Sequence, residues 1–388
     1  MKSIYLDEAH IKERMARNEA FWKGELTDYP LMWITAPDPD PRHALTEPAT
    51  EEALWTDVEY VVRAAHARLS QTYFAGDALP VYTPWLGPDQ FAAWLGADLV
   101  LRPRQNTSWG SPFVTNWERH PTLSIDPQNR WWKLYLDLLK ACAEFGRDKW
   151  ITGYPDLHTG LDALCAVRGP DNVMLELLTA PDLMHSHMQQ MTRLWKQVVD
   201  AATDVLAPYG QGASNWTMGY SAKRFLCIGQ NDSTCMISPE MFNEFCLEDN
   251  LEACRHADYS LYHLDGPGAV RHLPALLKIK ELTAIQWVQG AGQPPPGHWI
   301  DLFRQIQEAG KPAQALYLEN HALTTPEMFA DLEKLLAGLE VEKLFIWSEA
   351  PSRAQADRIV HFIKRVCDRK RSGRNPTHWT GKRSACLT

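Results

Sequence analysis

The sequence alternates eight times between a short apolar segment, rich in β-branched and aromatic residues, and a longer segment with helical periodicity. The apolar segments, which we expect to be strands, are 31–37, 79–85, 149–155, 225–232, 260–265, 283–288, 315–320 and 344–349. The helical segments are 50–73, 128–147, 181–207, 238–256, 268–278, 298–309, 325–338 and 352–369. Strands that alternate with helices pair in parallel, and eight such units favour a closed barrel over an open sheet. The sequence therefore predicts an α/β fold of the (β/α)8, or TIM-barrel, type.

Two of the predicted helices begin in the same way. Ser238 and Thr325 are each followed by Pro-Glu-Met-Phe. A Ser or Thr side chain caps a helix, Pro fits the first turn, and Glu is favourable at the positive end of the helix dipole. We therefore expect helices to begin directly after both residues.

The domain organisation follows from the same units. We expect a single barrel domain over residues 1–371, with a hairpin excursion at about 97–127 inserted after the second strand. Long insertions of this kind are often lids, so Trp109 and Trp117 are predicted to cover the mouth of the barrel. Residues 372–388 are polar and basic without periodicity, which predicts a disordered tail or a vector-derived remnant.

Composition excludes several classes of protein. The formal net charge of −9 argues against a nucleic-acid binder, which needs a basic face. The N-terminus lacks the apolar core of a signal peptide, and no apolar run approaches the roughly 18 residues of a membrane span. The eight cysteines include no CxxC pair, which favours reduced, mostly buried thiols. We therefore expect a cytoplasmic protein.

Polar residues at the strand ends predict the active site. In the segment 260–265, His263 and Asp265 share one face, and barrel active sites lie at the carboxyl ends of the strands. The other polar residues at strand ends are Asp156, His158, Asp232, Gln286, Glu319 and Glu349. Burying several charges at one end of a barrel is costly without a functional role. The set therefore predicts an enzyme site, with Trp33, Trp287 and Trp347 as stacking surfaces for a substrate.

Each of these residues also has a structural alternative. Asp265 precedes Gly-Pro-Gly and Asp232 precedes Ser-Thr, so either side chain could stabilise a turn. Glu319 and Glu349 could pair with arginines such as Arg353. Nucleophile and nucleotide motifs are missing: there is no GxSxG, GxGxxG or GxxxxGK[ST] sequence.

The stretch from about 150 to 350 resembles the uroporphyrinogen decarboxylase superfamily, which includes cobalamin-related methyltransferases. The matching pieces are Arg168-Gly169 with its following helix, the segment from Asp232 to Phe242, and Tyr262-His263-Leu264-Asp265-Gly266. The run HIKERMARNEAFW near the N-terminus resembles the opening helix of that group. The resemblance implies a (β/α)8 barrel with an N-terminal helix, and it names a homodimer and a corrinoid protein as candidate partners.

The chain departs from that superfamily at two places. Uroporphyrinogen decarboxylases carry an RQAGR-type segment near the N-terminus, whereas residues 33–38 here contain no arginine, which argues against a porphyrinogen substrate. The methyltransferases hold zinc with a His-x-Cys pair and a later Cys. In this chain His263-Leu264-Asp265 occupies the position of the pair, and the later position falls near Glu349. The resemblance thus implies a divalent metal, such as zinc, on His263, Asp265 and Glu349, in a harder site than thiolates would provide.

The leading hypothesis is a methyltransferase or demethylase that acts on a small polar substrate with the help of this metal. His263 would be a ligand or general base, Asp265 a ligand or orienting group, and Glu349 the third ligand or an acid. Asp232 is a further catalytic candidate. Asp156, His158, Glu319, Gln286, Trp287, Trp347 and Trp33 would bind the substrate.

Two alternatives stay open. The first is a lyase or hydrolase that uses paired carboxylates on a sugar-like or carboxylated ligand. The second is a ligand-binding barrel without catalysis, which a set of strand-end charges tied up in mutual salt bridges would favour.

Overall fold

A computed structural model describes residues 5–39 and 45–373, so most of the predicted tail lies outside the described residues. The strands are β1 (Leu31–Pro37), β2 (Thr72–Gly76), β3 (Val81–Tyr82), β4 (Asp98–Arg102), β5 (Thr107–Ser111), β6 (Ile151–Thr152), β7 (Phe225–Gln230), β8 (Tyr259–Asp265), β9 (Ala284–Val288), β10 (Ala313–Tyr317) and β11 (Leu344–Glu349). The helices are α1 (Glu8–Trp22), α2 (Ala53–Thr56), α3 (Val58–Ser70), α4 (Gln90–Trp94), α5 (Arg130–Phe145), α6 (Gly160–Arg168), α7 (Pro170–Thr179), α8 (Pro181–Leu206), α9 (Pro239–Phe245), α10 (Leu247–Arg255), α11 (Gly266–Ala269), α12 (Leu273–Leu276), α13 (Ile300–Glu308), α14 (Pro326–Gly338) and α15 (Arg353–Arg371). Each of the eight predicted strand segments overlaps one of these strands, although β8 begins one residue and β10 two residues before the predicted segment.

The central sheet has seven strands in the order β2-β1-β11-β10-β9-β8-β7. All neighbours are parallel except β1 and β2, which are antiparallel. From β7 to β11 the spatial order follows the chain order, and the last strand pairs with the first. The architecture is therefore α/β with a mostly parallel sheet, as the alternating pattern predicts.

Two of the eight predicted strands lie outside this sheet. β3 and β6 form a separate parallel pair, with Val81 opposite Ile151 and Tyr82 opposite Thr152. The free edge of β1 is taken by β2, a strand that the sequence analysis did not predict. Beyond β6, the N–H of Tyr154 bonds to the carbonyl of Ser214 in a loop. Strand hydrogen bonds among the described residues therefore do not form the continuous ring of a closed barrel.

The repeated helix starts behave as predicted. The Ser238 side chain accepts a hydrogen bond from the Met241 N–H at the start of α9, and Thr325 does the same for Met328 at the start of α14. Among the helices of the described residues, none combines the length and apolar character needed to cross a bilayer.

The predicted insertion contains an antiparallel hairpin of β4 and β5, in which Asp98 lies opposite Ser111. Trp109 on this hairpin is 50% exposed. Trp117 is instead buried against His187 of α8, with ring centroids 3.7 Å apart, and its indole N–H donates to Glu176 of α7. Trp117 therefore packs between the insertion and two helices, which is a structural role rather than that of a lid residue.

The amino-terminal end of the sheet is closed by α1. The ring of Trp22 packs against Phe225 at the start of β7, with centroids 4.5 Å apart, and its N–H donates to the Tyr220 carbonyl over 2.8 Å. Arg17 binds the buried carboxylate of Asp77, which also accepts the N–H of Met32 in β1. These contacts close the amino-terminal end of the sheet. A site is therefore expected at the opposite end, where the carboxyl ends of the strands lie.

Candidate active site

A chain of buried side chains fixes the orientation of His263. Gln314 Nε2 donates to the carbonyl of Thr217, and its Oε1 accepts from Gln286 Nε2 over 2.6 Å. Gln286 Oε1 is then an acceptor, so Nδ1 of His263 must carry a proton and donate to it. In the neutral imidazole the lone pair is therefore on Nε2, the nitrogen that is available for a ligand or a proton.

Asp232 and Asp265 lie beside this nitrogen. One ligand atom from each of Asp232, His263 and Asp265 lies within 4.8 Å of the other two. His263 Nε2 is 4.0 Å from Asp232 Oδ1, and that buried oxygen has no hydrogen-bond partner among the described residues. Two carboxylates and an imidazole with free acceptor atoms form a set that can hold a divalent cation.

A second group, His158, Asp162 and Asp232, also has ligand atoms within 4.8 Å of one another. Asp162 already accepts three hydrogen bonds, from the backbone N–H groups of Asp232 (2.8 Å) and Ser233 (2.7 Å) and from the Nδ1–H of His158 (3.2 Å). A metal there would compete with these three hydrogen bonds. We therefore assign Asp162 to holding the turn that carries Asp232, and the first group to ligand binding.

Two carboxyl groups of this region, those of Asp232 and Asp156, have a raised pKa. Burial, together with the negative charges of Asp162 and Asp265, raises the pKa of Asp232 to about 7. Burial raises the pKa of Asp156 to about 6, although His158 and His263 oppose the shift. Perturbed carboxyl groups clustered at strand ends are typical of catalytic sites.

His158 is the cation of the region. Burial alone would lower its pKa, but the hydrogen bond to Asp162 and the charges of Asp156, Asp162 and Asp232 raise the pKa to about 9. The folded protein therefore keeps His158 protonated at neutral pH, where the unfolded chain, with a His pKa of about 6.5, holds it mostly neutral.

This shift predicts a pH-dependent contribution to stability. The raised pKa stabilises the fold fully below about pH 6.5, and the contribution is lost as pH rises through about 9. We expect His158→Gln to lower the free energy of unfolding by about 1–3 kcal/mol at pH 6 and by much less at pH 10. Urea unfolding in the presence of a chelator measures both values. An equal loss at the two pH values would contradict the assignment of a charged His158.

Several strand ends also contribute a buried polar atom that has no partner among the described residues. These atoms are Thr83 Oγ1, Asp156 Oδ1, Gln230 Oε1, Asp232 Oδ1, Gln289 Oε1 and Ser348 Oγ. Buried polar groups in native proteins are normally hydrogen-bonded. Their position at the carboxyl ends of five different strands fits a polar interior that binds ligand or water.

The structure brings some of the predicted site residues together in one cluster and places others around a different cavity. Asp156, His158, Asp232, His263, Asp265 and Gln286 form one cluster through the bonds and charges above. Trp33, Trp347 and Glu349 line a different cavity of about 180 Å³. The metal-ligand set of the described residues contains Asp232 and not Glu349, so the expected third ligand lies elsewhere in the structure.

Two further predicted residues lie apart from the cluster. Trp287 is fully buried but packs against Trp299, with centroids 4.9 Å apart, on the face of β9 opposite to Gln286. Glu319 is exposed in a short turn after β10 and has a positive φ of 48°. Neither residue belongs to the two ligand groups found among the described residues.

Three residues outside the predicted set of strand-end residues organise the cluster. Asp162 supports the turn of Asp232, Gln314 completes the chain to His263, and the ring of Trp216 meets His263 edge to face with centroids 5.1 Å apart. Gln314 could have been identified from the sequence, because an amide side chain in the middle of a buried strand needs a hydrogen-bond partner. Trp216 lies in a loop, so no strand pattern pointed to it.

Comparisons with known proteins identify the fold. No protein-family profile matches the chain, and no curated protein matches its sequence. Among solved structures, the chain is similar to a methyltransferase from Methanosarcina mazei. The identity is 12%, the TM-score is 0.56, and the match covers 93% of this chain and 98% of the other. At this identity the likeness concerns the fold alone: the chain shares the overall α/β architecture of that methyltransferase along nearly its whole length.

Proposed function

We propose that the protein is a metal-assisted methyltransferase or demethylase of the uroporphyrinogen decarboxylase-like superfamily, with a divalent cation held by Asp232, His263 and Asp265. The observation that carries the proposal is the free Nε2 of His263, directed at an unpartnered Asp232 oxygen, in the position where the superfamily has its His-x-Cys motif. The fold likeness to a methyltransferase supports the same reading.

The proposal includes a closed (β/α)8 barrel. In its support, β1 and β11 are parallel neighbours, and the strands from β7 to β11 follow one another in chain order. The β3–β6 pair would fill the gap between β1 and β7, with hydrogen bonds from loop residues replacing the missing ladder. On this arrangement the cluster lies at the carboxyl ends of the strands, where barrel enzymes have their active sites.

The donor set favours a borderline or hard cation. Imidazole suits zinc and iron, whereas carboxylates suit magnesium and manganese, so zinc and manganese are the first candidates. Such an ion would supply Lewis-acid activation of a substrate oxygen or sulfur. Gln286 holds the imidazole with Nε2 exposed, and Asp162 holds the backbone of Asp232 and Ser233. Asp156 is a buried carboxyl with a free oxygen, placed to accept or donate a proton.

Metal binding tests the proposal directly. We expect the purified protein to bind about one equivalent of zinc or manganese, and we expect Asp232→Asn, Asp265→Asn and His263→Ala to weaken that affinity at least about 100-fold. His187→Gln is the matched control, because His187 is a buried histidine stacked on Trp117 outside the cluster. Elemental analysis and titration calorimetry provide the readout. A wild-type protein that binds neither ion, or variants with unchanged affinity, would refute the metal site.

Methyl transfer requires its own test. Methylcobalamin and a small thiol are suitable probes, since demethylation of the corrinoid changes its absorbance. We expect turnover in the metal-loaded protein and none in His263→Ala. The predicted corrinoid-protein partner and homodimer stay predictions, which co-purification and light scattering would address.

One observation favours a second function, a lyase or hydrolase based on paired carboxylates. Asp156 and Asp232, with pKa values raised to about 6 and about 7, could share acid and base roles near neutral pH. Activity that persists in chelator and is lost in Asp156→Asn would select this function over the metal-dependent one.

A further inference from the structure

A second cavity lies where β1, β2 and β11 meet. Its volume is about 180 Å³. Buried apolar side chains form its floor, among them Trp33, Phe74 and Leu79. It is smaller than the roughly 300–1,000 Å³ sites that hold drug-sized molecules, so a ligand here would be small.

Two opposite charges stand at the open end of this cavity. Arg68, at the end of α3, and Glu349, at the end of β11, both line it and are both exposed. Within the described residues neither side chain has an ion pair, with the other or with any third group. The guanidinium of Arg68 lies over the ring of Tyr82, 5.2 Å from its centroid, which holds it in place. The cavity thus combines an apolar floor with one free cation and one free anion at its mouth.

The segment 216–218, of which Thr217 is fully buried, connects this cavity to the metal-ligand cluster. Met218 lines the cavity and has a φ of 65°, in the left-handed region that non-glycine residues rarely adopt. The preceding residue, Thr217, accepts the hydrogen bond from Gln314 that begins the chain to His263. Trp216 meets the His263 ring itself. The segment 216–218 therefore contacts the cluster on one side and the cavity on the other.

We propose that this cavity binds an α-amino acid with an apolar side chain. The α-carboxylate would pair with Arg68, because a guanidinium binds carboxylates through two parallel hydrogen bonds. The α-ammonium would pair with Glu349, and the side chain would occupy the floor against Trp33 and Phe74. That the amino acid is a substrate rests on the proposed function, whereas its binding does not.

The charge pattern selects this class over simpler ligands. A fatty carboxylate would leave Glu349 unpaired, and an alkylamine would leave Arg68 unpaired. A sugar would place most of its hydroxyl groups against Trp33, Phe74 and Leu79, and among the lining side chains only Thr35 and Thr72 offer a hydroxyl group in return. A molecule that carries both charges at one end and an apolar body at the other pairs with both charges at the mouth and with the apolar floor together.

Three probes of matched shape test the proposal on the chelator-treated protein. L-leucine carries both charges, 4-methylpentanoate is leucine without the ammonium, and 3-methylbutylamine is leucine without the carboxylate. We expect titration calorimetry to show leucine binding with a Kd below about 1 mM, and each analogue to bind at least about tenfold more weakly. No leucine binding, or equal binding of leucine and either analogue, would overturn the proposal.

Two variants assign each charge to its partner. Arg68→Gln is expected to weaken leucine and 4-methylpentanoate but not 3-methylbutylamine, whereas Glu349→Gln should weaken leucine and 3-methylbutylamine but not 4-methylpentanoate. Arg63→Gln is the control, since Arg63 lies on the same helix and pairs with Glu59. Variants that weaken all three probes equally would refute the assigned contacts. Metal binding is measured separately at the cluster, so a failed metal site and a failed amino-acid site give different results.

Discussion

Replacing Asp162 by alanine is expected to lower the free energy of unfolding by about 3–5 kcal/mol. The carboxylate is 8% exposed and accepts two backbone N–H groups, from Asp232 and Ser233, and the ring N–H of His158. Its removal leaves two part-buried backbone donors without this partner and the His158 cation without its nearest anion. Some of this loss is offset, because the negative charge of Asp162 also opposes ionisation of Asp232.

Urea unfolding of the chelator-treated protein at pH 7, followed by circular dichroism, measures this effect. Asp137→Ala is the matched control, since Asp137 is exposed on α5 and its loss should change stability by no more than about 0.5 kcal/mol. In the folded fraction of Asp162→Ala, metal affinity should also fall, because the turn that presents Asp232 is no longer held. A loss below about 1 kcal/mol would show that Asp162 is not the support of this turn.

The strands were predictable because their signal is local. The predicted segments 31–37 and 344–349 coincide with β1 and β11, and both are apolar runs buried on two faces, as parallel strands in α/β proteins are. β2 was not predictable in the same way. Its sequence, TYFAG, follows α3 directly, and its strand conformation depends on pairing with the edge of β1, a contact distant in sequence. That pairing is also what separates β3 from the main sheet.

The site was predictable where strand alternation sufficed. Alternation placed His263 and Asp265 on one face, and the structure brings both together with Asp232. The same rule places Gln286 and Trp287 on opposite faces of β9, so both could not line one pocket, and Trp287 packs on Trp299 instead. Alternation cannot tell which strand ends face one another across the interior. The superfamily resemblance made Glu349 the third ligand, and alternation could not show that its side chain lines a separate cavity.

The network around the site required tertiary structure. The chain from His263 through Gln286 to Gln314 joins three neighbouring strands and ends on the Thr217 carbonyl in a loop. Each glutamine is buried, and each would be costly to bury without the other. The sequence shows two isolated polar residues in apolar strands, and only the strand register makes them partners.

Replacing Trp22 by alanine is expected to cost about 3–5 kcal/mol of stability, the range for deleting a large buried aromatic side chain. Trp22 is 5% exposed and packs against Phe21, Phe225 and Tyr259, so its loss opens a cavity where α1 meets the starts of β7 and β8. The change also leaves the Tyr220 carbonyl without its indole donor. The site lies at the opposite ends of the strands, so the folded variant should keep its metal affinity.

Thermal and urea unfolding of Trp22→Ala and Trp109→Ala measure this effect. The comparison distinguishes the loss of buried packing at Trp22 from the loss of an exposed tryptophan at Trp109. Trp109 is 50% exposed on β5, so its replacement should cost less than about 1 kcal/mol. Trp22→Phe keeps an aromatic ring against Phe225 but loses the bond to Tyr220, and an intermediate loss is expected. If Trp22→Ala were as stable as Trp109→Ala, α1 would not close the sheet, and the loop carrying Trp216 and Thr217 would need another support. A stable variant with weakened metal affinity would instead mean that α1 acts on His263 through that loop.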